Sequence, residues 1–202
     1  MKEFSSIARG KIIILSGPSG SGKTTLHKKL LESKKLKGEL VKSISATTRP
    51  RRVGEKSGRD YLFLTPRQFL YKTKAGYFLE WQKVFDHYYG TPKHCVDRHL
   101  KAGCSVLLCI DVKGAAVVRR QHPDSAAIFI KPPSLAILKK RLLARGSENV
   151  EAVSLRLKTA RREMKEASGY DYVVVNNDLK KAFKKLEEIA LSQIGAIEFP
   201  QN

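Results

Sequence analysis

Cysteine is scarce in this sequence, and the few cysteines form no pattern. Cys95, Cys104 and Cys109 are an odd count without C-x-x-C spacing, which excludes a disulfide framework and a zinc site; reduced, mostly buried thiols are expected. The five histidines are scattered and none is paired at ligand spacing. No apolar run approaches the ~20 residues that a membrane helix needs. Met1 to Arg9 is polar and lacks the apolar core of a signal peptide. A soluble, cytoplasmic protein with no membrane partner is therefore expected. Internal repeats and a dividing linker are also missing, so the 202 residues suit one domain, 1–202.

Acidic residues are the other shortage. Asp and Glu number 19 against 39 Lys and Arg, a formal charge of +20. Such a charge can hold nucleic acid or steer anionic nucleotides toward a cleft. The basic pairs, among them Lys28-Lys29, Arg51-Arg52, Arg119-Arg120 and Lys180-Lys181, are spread along the chain rather than gathered in one arm. A solvated basic surface is the favoured reading, and nucleic acid is not an expected partner.

What is present is concentrated first in residues 11 to 25. An Ile-rich run, Ile12 to Leu15, reads as a buried strand; it breaks at Gly17 and re-emerges as a helical pattern at Lys23. Gly17-Pro18-Ser19-Gly20-Ser21-Gly22-Lys23-Thr24, followed by Thr25, has the spacing G-x-x-x-x-G-K-[ST] of a phosphate-binding loop. Its glycines permit a backbone whose N–H groups turn inward, and with the positive end of the following helix they make an anion nest. Lys23 is placed to reach the β- and γ-phosphates of a triphosphate, and Thr24 to bind the Mg²⁺ that bridges them.

Along the rest of the chain, the pattern predicts a first helix from Lys23 to near Gly38 and strands over Leu40–Ser45 and Asp60–Leu64. A short helix opens at Pro66, and one or two strands fall within 77–90. A helix then runs from Pro92 to Ala102, and a strong strand covers Val106–Asp111. A helix to about Gln121 leads to the strand Ala126–Lys131. Helices over Leu135–Arg145 and 150–167, the strand Tyr172–Val175 and a helix over Leu179–Gln193 complete the chain. Strand-helix alternation implies a parallel sheet covered on both faces. Residues 43–91, with short strands and few helices, read as a small insert.

Several separated stretches then agree. They are Ser45-Ala46-Thr47-Thr48-Arg49 through Arg52, Gly54-Glu55, Gly58-x-Asp60-Tyr61-x-Phe63, Phe78-Leu79-Glu80-Trp81 and Tyr88-Tyr89-Gly90-Thr91. Further on come Ile110-Asp111-Val112-x-Gly114, Pro132-Pro133-Ser134 and Val175-Asn176. In this order they resemble the guanylate kinase family over roughly residues 9 to 195. The resemblance implies an α/β P-loop nucleoside monophosphate kinase fold. In it, a parallel sheet flanked by helices (9–42, 92–133 and 169–195) carries a mixed β/α GMP-binding insert (43–91) and a helical lid (about 134–168).

It also implies roles. Arg49 and Arg52, two forks on a Pro-constrained loop able to clamp one phosphate, match the arginines that hold the phosphate of GMP, with Tyr61 and Tyr89 beside them. Glu80 resembles the carboxylate that accepts from the N1–H and 2-amino group of guanine; Ser45 and Thr91 resemble its hydroxyl neighbours. Arg141 and Arg145, one turn apart, resemble the lid arginines, and Arg156 the arginine of the next helix. With Lys23 they are expected to stabilise the transferring phosphoryl group, a reaction governed by positioned cations. Asp111 resembles the acidic residue near Mg²⁺ and GMP, and Asn176 the residue at adenine. The implied reaction is Mg²⁺-dependent transfer from ATP to GMP, and to dGMP; a catalytically weak binding module of the same fold is the alternative. One departure stands out: the family usually has a second carboxylate two residues before Asp111, where this chain has Cys109.

Overall fold

The computed structural model describes residues 10–144 and 150–195. Its centre is a five-stranded parallel sheet. The strands are β1 (Ile12–Ser16), β2 (Leu40–Lys42), β7 (Ser105–Cys109), β8 (Ala126–Lys131) and β9 (Tyr172–Val175), in the order β2-β7-β1-β8-β9. β1 is entirely buried, as its unbroken apolar sequence requires of a central parallel strand. Its side chains alternate between the faces. Ile13 and Leu15 pack with α1 (Lys23–Leu31) and α7 (Leu179–Gln193), through Leu26, Leu30 and Leu186. Ile12 and Ile14 pack with α3 (Lys93–Lys101) and α4 (Val112–Gln121), through Val96, Leu100, Ala115 and Val118. Strand order reverses at β1, so the carboxyl ends of β1, β7 and β8 border the crevice where such sheets bind ligands.

A second, mixed sheet stands over that crevice. It is built from β3 (Ala46–Thr47), β4 (Leu62–Phe63), β5 (Phe78–Val84) and β6 (His87–Pro92), in the order β4-β3-β6-β5; β3 pairs parallel to β4 and antiparallel to β6. α2 (Pro66–Lys74), opened by a Thr65–Gln68 capping box, covers it. Phe69 of α2 is fully buried and stacks on Phe78 and Tyr88, with ring centroids 4.5 and 5.4 Å away. Leu79 of β5 joins the α4 side of the main core, and Gln121 donates to the Leu79 carbonyl at 3.1 Å. These contacts fix the second sheet against the first.

α5 (Leu135–Leu143), capped by Ser134, and α6 (Val150–Glu163) pack on each other around Leu138, Leu142, Val153 and Ala160. No described helix is long and apolar enough to cross a membrane.

Several boundaries differ from the sequence pattern. The first helix stops at Leu31, and a separate 3₁₀ turn covers Lys34–Leu36. The expected strand Leu40–Ser45 ends at Lys42, because the chain leaves one sheet there and enters the other at Ala46. The helix expected over 150–167 is α-helical only to Glu163 and tightens to 3₁₀ over Met164–Gly169. Asp111 lies beyond its strand as the N-cap of α4, its side chain accepting from the Gly114 N–H. The cysteines are half-buried rather than buried, and all three are free thiols.

Candidate active site

The phosphate loop joins β1 to α1. Gly17, Gly20 and Gly22 all have positive φ, and a Cβ on Gly17 would lie 2.4 Å from the Ile130 carbonyl oxygen, so no larger side chain fits beside β8. Gly22 is the N-cap of α1 and supplies no side-chain cap; the first amides of the helix are left to bind an anion. Lys23 Nζ folds back onto the loop, donating to the carbonyls of Gly17 (2.5 Å) and Pro18 (2.9 Å). Ser21 is buried, and its Oγ has no partner among the described residues. Asn176 is buried and its amide donates 2.8 Å to the Ser21 carbonyl. The residue expected at adenine therefore braces the phosphate loop.

Thr24 and Thr25 open onto solvent on the first turn of α1. Thr24 also lines a cavity of ≈ 220 Å³ whose other walls include Ser45, Arg49, Arg52, Tyr61, Tyr89 and Cys109. The first turn of α1 and the two arginines thus face one space. In that space Arg49 is held by Glu55, which accepts from its Nη2 at 2.7 and 3.0 Å and from the Arg52 amide at 2.8 Å. Arg49 also sits over the Tyr61 ring, 5.5 Å from its centroid. The Arg52 side chain extends into solvent. Tyr61 and Tyr89 meet edge to face at 6.2 Å. Burial raises the Tyr61 phenol above its ordinary pKa, so it stays a hydrogen-bond donor across the neutral range.

Glu80 sits deeper. It pairs in register with Thr91, whose hydroxyl donates to Glu80 Oε1 at 2.6 Å. Burial, reinforced by the nearby Asp111 charge, raises its pKa to about 7 against the opposing Thr91 hydrogen bonds. Glu80 Oε2 lies where a Cβ on Gly114 would come within 2.6 Å, so the glycine lets the carboxyl reach the first turn of α4. Asp111 Oδ1 accepts from Gly114 N–H at 2.7 Å.

On the far side, Arg141 Nη2 donates to the Asn176 carbonyl at 2.9 Å, and its Nη1 is buried without a partner among the described residues. Arg156 Nη1 donates to Ser19 Oγ at 3.2 Å. Arg145 lies outside the described residues. The structure thus gathers Ser19, Ser21, Lys23, Asn176, Arg141 and Arg156 about the phosphate loop. Ser45, Arg49, Arg52, Tyr61, Tyr89 and Thr24 share the cavity. Glu80, Thr91 and Asp111 cluster behind it.

Other residues of the site were given no role from the sequence. Lys42, His27, Ser43 and Asp60 line the same cavity, and Glu163, half-buried at the end of α6, lies within the field of Lys23, Asp111 and Lys113, its pKa pushed up by burial to about 7. His27 is held neutral, its pKa lowered to about 4 by burial and by Lys42. Cys109 also faces Lys23 and Lys42; they favour its thiolate, but burial outweighs them and raises the thiol. Glu55 had a visible clue beyond its place in the Gly54-Glu55 stretch: it is the one acid among the five basic residues of 49–59.

Hard oxygen donors suit Mg²⁺. Thr24 Oγ is exposed, and Asp111 spends only one oxygen on its helix cap. Among the described residues no group of three or more His, Cys, Asp and Glu side chains could hold a metal ion; Mg²⁺ usually keeps several waters and takes ligands from substrate phosphates.

A parallel α/β sheet with a phosphate loop at its central strand, and an arginine-lined cavity beside it, is the architecture of a P-loop kinase of nucleoside monophosphates. The comparisons are narrower. The family model for guanylate kinase matches residues 9–193. The guanylate kinase of Rickettsia felis is 45% identical over 185 residues, covering 92% of this chain and 95% of that one. That of Caldanaerobacter subterraneus subsp. tengcongensis is 43% identical over 185 residues, covering 92% and 88%. The crystal structure of guanylate kinase from Anaplasma phagocytophilum superposes with a TM-score of 0.76 at 34% identity, covering 92% of this chain and 87% of that one. The chain belongs to the guanylate kinase family.

Proposed function

We propose that this chain is a cytoplasmic kinase that moves the γ-phosphoryl group of Mg·ATP to GMP, and to dGMP, giving ADP and the nucleoside diphosphate. The observation that carries this is the shared cavity: Thr24, one residue after the loop lysine, lines the same space as Arg49, Arg52, Tyr61 and Tyr89. Two phosphate-binding groups that open onto one space can bring a donor and an acceptor phosphate in line.

The acceptor phosphate takes the Arg49 and Arg52 forks, with Glu55 aiming Arg49 and the two tyrosine hydroxyls donating at its edge. The guanine base reaches Glu80, whose ionised carboxylate accepts from N1–H and the 2-amino group, while Ser45 and Thr91 complete the polar wall. Adenine presents no such pair of donors. On the donor side the α1 amides hold the β-phosphate, and Lys23 exchanges its loop carbonyls for phosphate oxygens. Arg156, Arg141 and Arg145 place positive charge where it develops on the transferring group. Thr24 and Asp111 would hold Mg²⁺, which would supply positive charge to offset the negative charge of the phosphates. The acceptor oxygen is already anionic at neutral pH, so the chain supplies no general base.

The test is ADP formation with Mg·ATP and each of GMP, AMP, CMP and UMP, with Lys23→Ala as the blank. Turnover confined to GMP and lost in the variant is expected. Absence of turnover with every acceptor would overturn the proposal in favour of a binding module.

A further inference from the structure

The hairpin joining β5 to β6 has a tip that its own folding rules disfavour. Val84 pairs with His87, leaving Phe85 and Asp86 as a two-residue turn. Phe85 has φ 54° and is the one non-glycine residue with positive φ among those described. Turns of this length favour Gly, Asn or Asp at such a position because a Cβ is strained there. The ring is not recovered as core either: Phe85 belongs to none of the buried clusters and is 39% exposed.

The ring does meet one group. The guanidinium of Arg156, on α6, lies over it at 4.7 Å from the centroid. The same guanidinium donates to Ser19 of the phosphate loop. One cation thereby touches the helical pair α5–α6, the phosphate loop and the tip of the second sheet. Strain kept at a position that folding does not need is characteristic of residues held for function. The strands that end in this tip are the ones carrying Glu80 and Tyr89.

We propose that Phe85 is a positioning residue: its ring holds the Arg156 guanidinium against the phosphate loop, so that the sheet that binds the acceptor also sets the arginine that serves the donor. This rests on the role given to Arg156 above. It goes further in making the hairpin tip part of the transfer apparatus without any contact to substrate. A cation over an aromatic face is held more firmly as the site loses water, so the contact strengthens as the cleft fills, and either nucleotide favours the arrangement that the other requires.

The discriminating variant is Phe85→Gly, because glycine is at ease at positive φ and removes the ring without harming the turn. Its thermal midpoint is expected to match or exceed that of the parent, while kcat falls by about 5- to 30-fold, the range open to a partly desolvated cation–π contact, and the KM for GMP stays within about twofold. Phe85→Tyr restores kcat; Phe85→Leu, apolar but without a π face, does not. In an Arg156→Ala background Phe85→Gly has no further effect, the non-additivity expected of residues acting as a unit. Unchanged kcat in Phe85→Gly, full activity in Phe85→Leu, or losses that multiply with Arg156→Ala would each overturn the proposal while leaving GMP phosphorylation intact. Absence of turnover in the parent would instead strike the functional reading. The same double-mutant cycle, read on the affinity for a nonhydrolysable ATP analogue, would then decide whether the ring acts through Arg156: coupling supports it and additivity overturns it.

Discussion

Glu80 is the residue whose chemistry depends most on pH. With its pKa raised to about 7 by burial, part of the population at neutral pH is protonated and cannot accept twice from guanine. Binding GMP in the proposed manner must expel that proton. Calorimetry at pH 6 in buffers of different ionisation enthalpy should show the parent releasing more protons on binding GMP than Glu80→Gln, by up to about one. The variant should bind GMP at least about tenfold more weakly at pH 8, since a carboxylate on two donors is replaced by an amide that can accept from only one. Equal proton release in the two proteins would remove Glu80 from the base. Cys109 offers a second residue-scale test. Because burial raises its thiol, alkylation by iodoacetamide, read by mass spectrometry of that residue, should be slow at pH 7.5 and rise steeply past pH 9. GMP should slow it further, since the thiol lines the acceptor cavity.

At the scale of elements, α2 holds the second sheet together through one side chain. Phe69 is fully buried and stacks on a ring from each long strand of that sheet. Phe69→Ala should cost about 3–5 kcal/mol in urea unfolding. The damage should raise the KM for GMP well before that for ATP, because the phosphate loop rests on the other core. The loop bearing Arg49 makes a complementary case. Glu55 holds both Arg49 and the Arg52 amide, and Glu55→Ala should raise the KM for GMP several-fold at nearly constant kcat, which steady-state kinetics with varied GMP will show.

For the whole molecule, the buried ionisable groups set a stability profile. Glu80 and Glu163 each have a folded pKa of about 7 against an ordinary 4.5, so the folded state binds their protons more tightly. The stability they contribute is complete below about pH 4.5 and is lost as pH rises toward 7. His27 works the other way: with its pKa lowered to about 4, it contributes stability present above pH 6.5 and lost as pH falls to about 4. Two carboxyls outweigh one imidazole between these limits. Urea unfolding should therefore show stability declining from pH 5 to pH 7.5, and Glu80→Gln should flatten that decline by about 1–3 kcal/mol. An unchanged slope would mean that Glu80 titrates as an ordinary carboxylate.

The sequence by itself determined whatever depends on neighbours along the chain. The phosphate loop is a contiguous device in which each glycine and the lysine act on the backbone beside them, and it stands where its spacing put it. The strands were legible for the same reason: Ala126–Ile130 is an uninterrupted apolar run, buried throughout as a covered parallel sheet requires. Tyr172–Val175 also reads as a buried strand, but it forms the sheet edge, where only Val174 is fully buried and Val173 and Val175 are exposed. The division at Lys42 was not legible, since Leu40 to Ser45 reads as one strand and only the pull of two different sheets splits it. Glu80 could be singled out by its resemblance, but its raised pKa follows from burial, helped by the Asp111 charge and opposed by the Thr91 hydrogen bonds. Cys109 keeps a small exposed fraction because β7 ends at a cavity wall. Arg156 could be named by its resemblance; that it would join Ser19 to Phe85 required three segments, 137 residues apart at the widest, to close on one guanidinium. Local spacing encodes backbone conformation and the supply of charge. Desolvation, fields and contacts between distant segments exist only after the chain has packed, and in this protein they decide which carboxyl holds its proton and where the arginine sits.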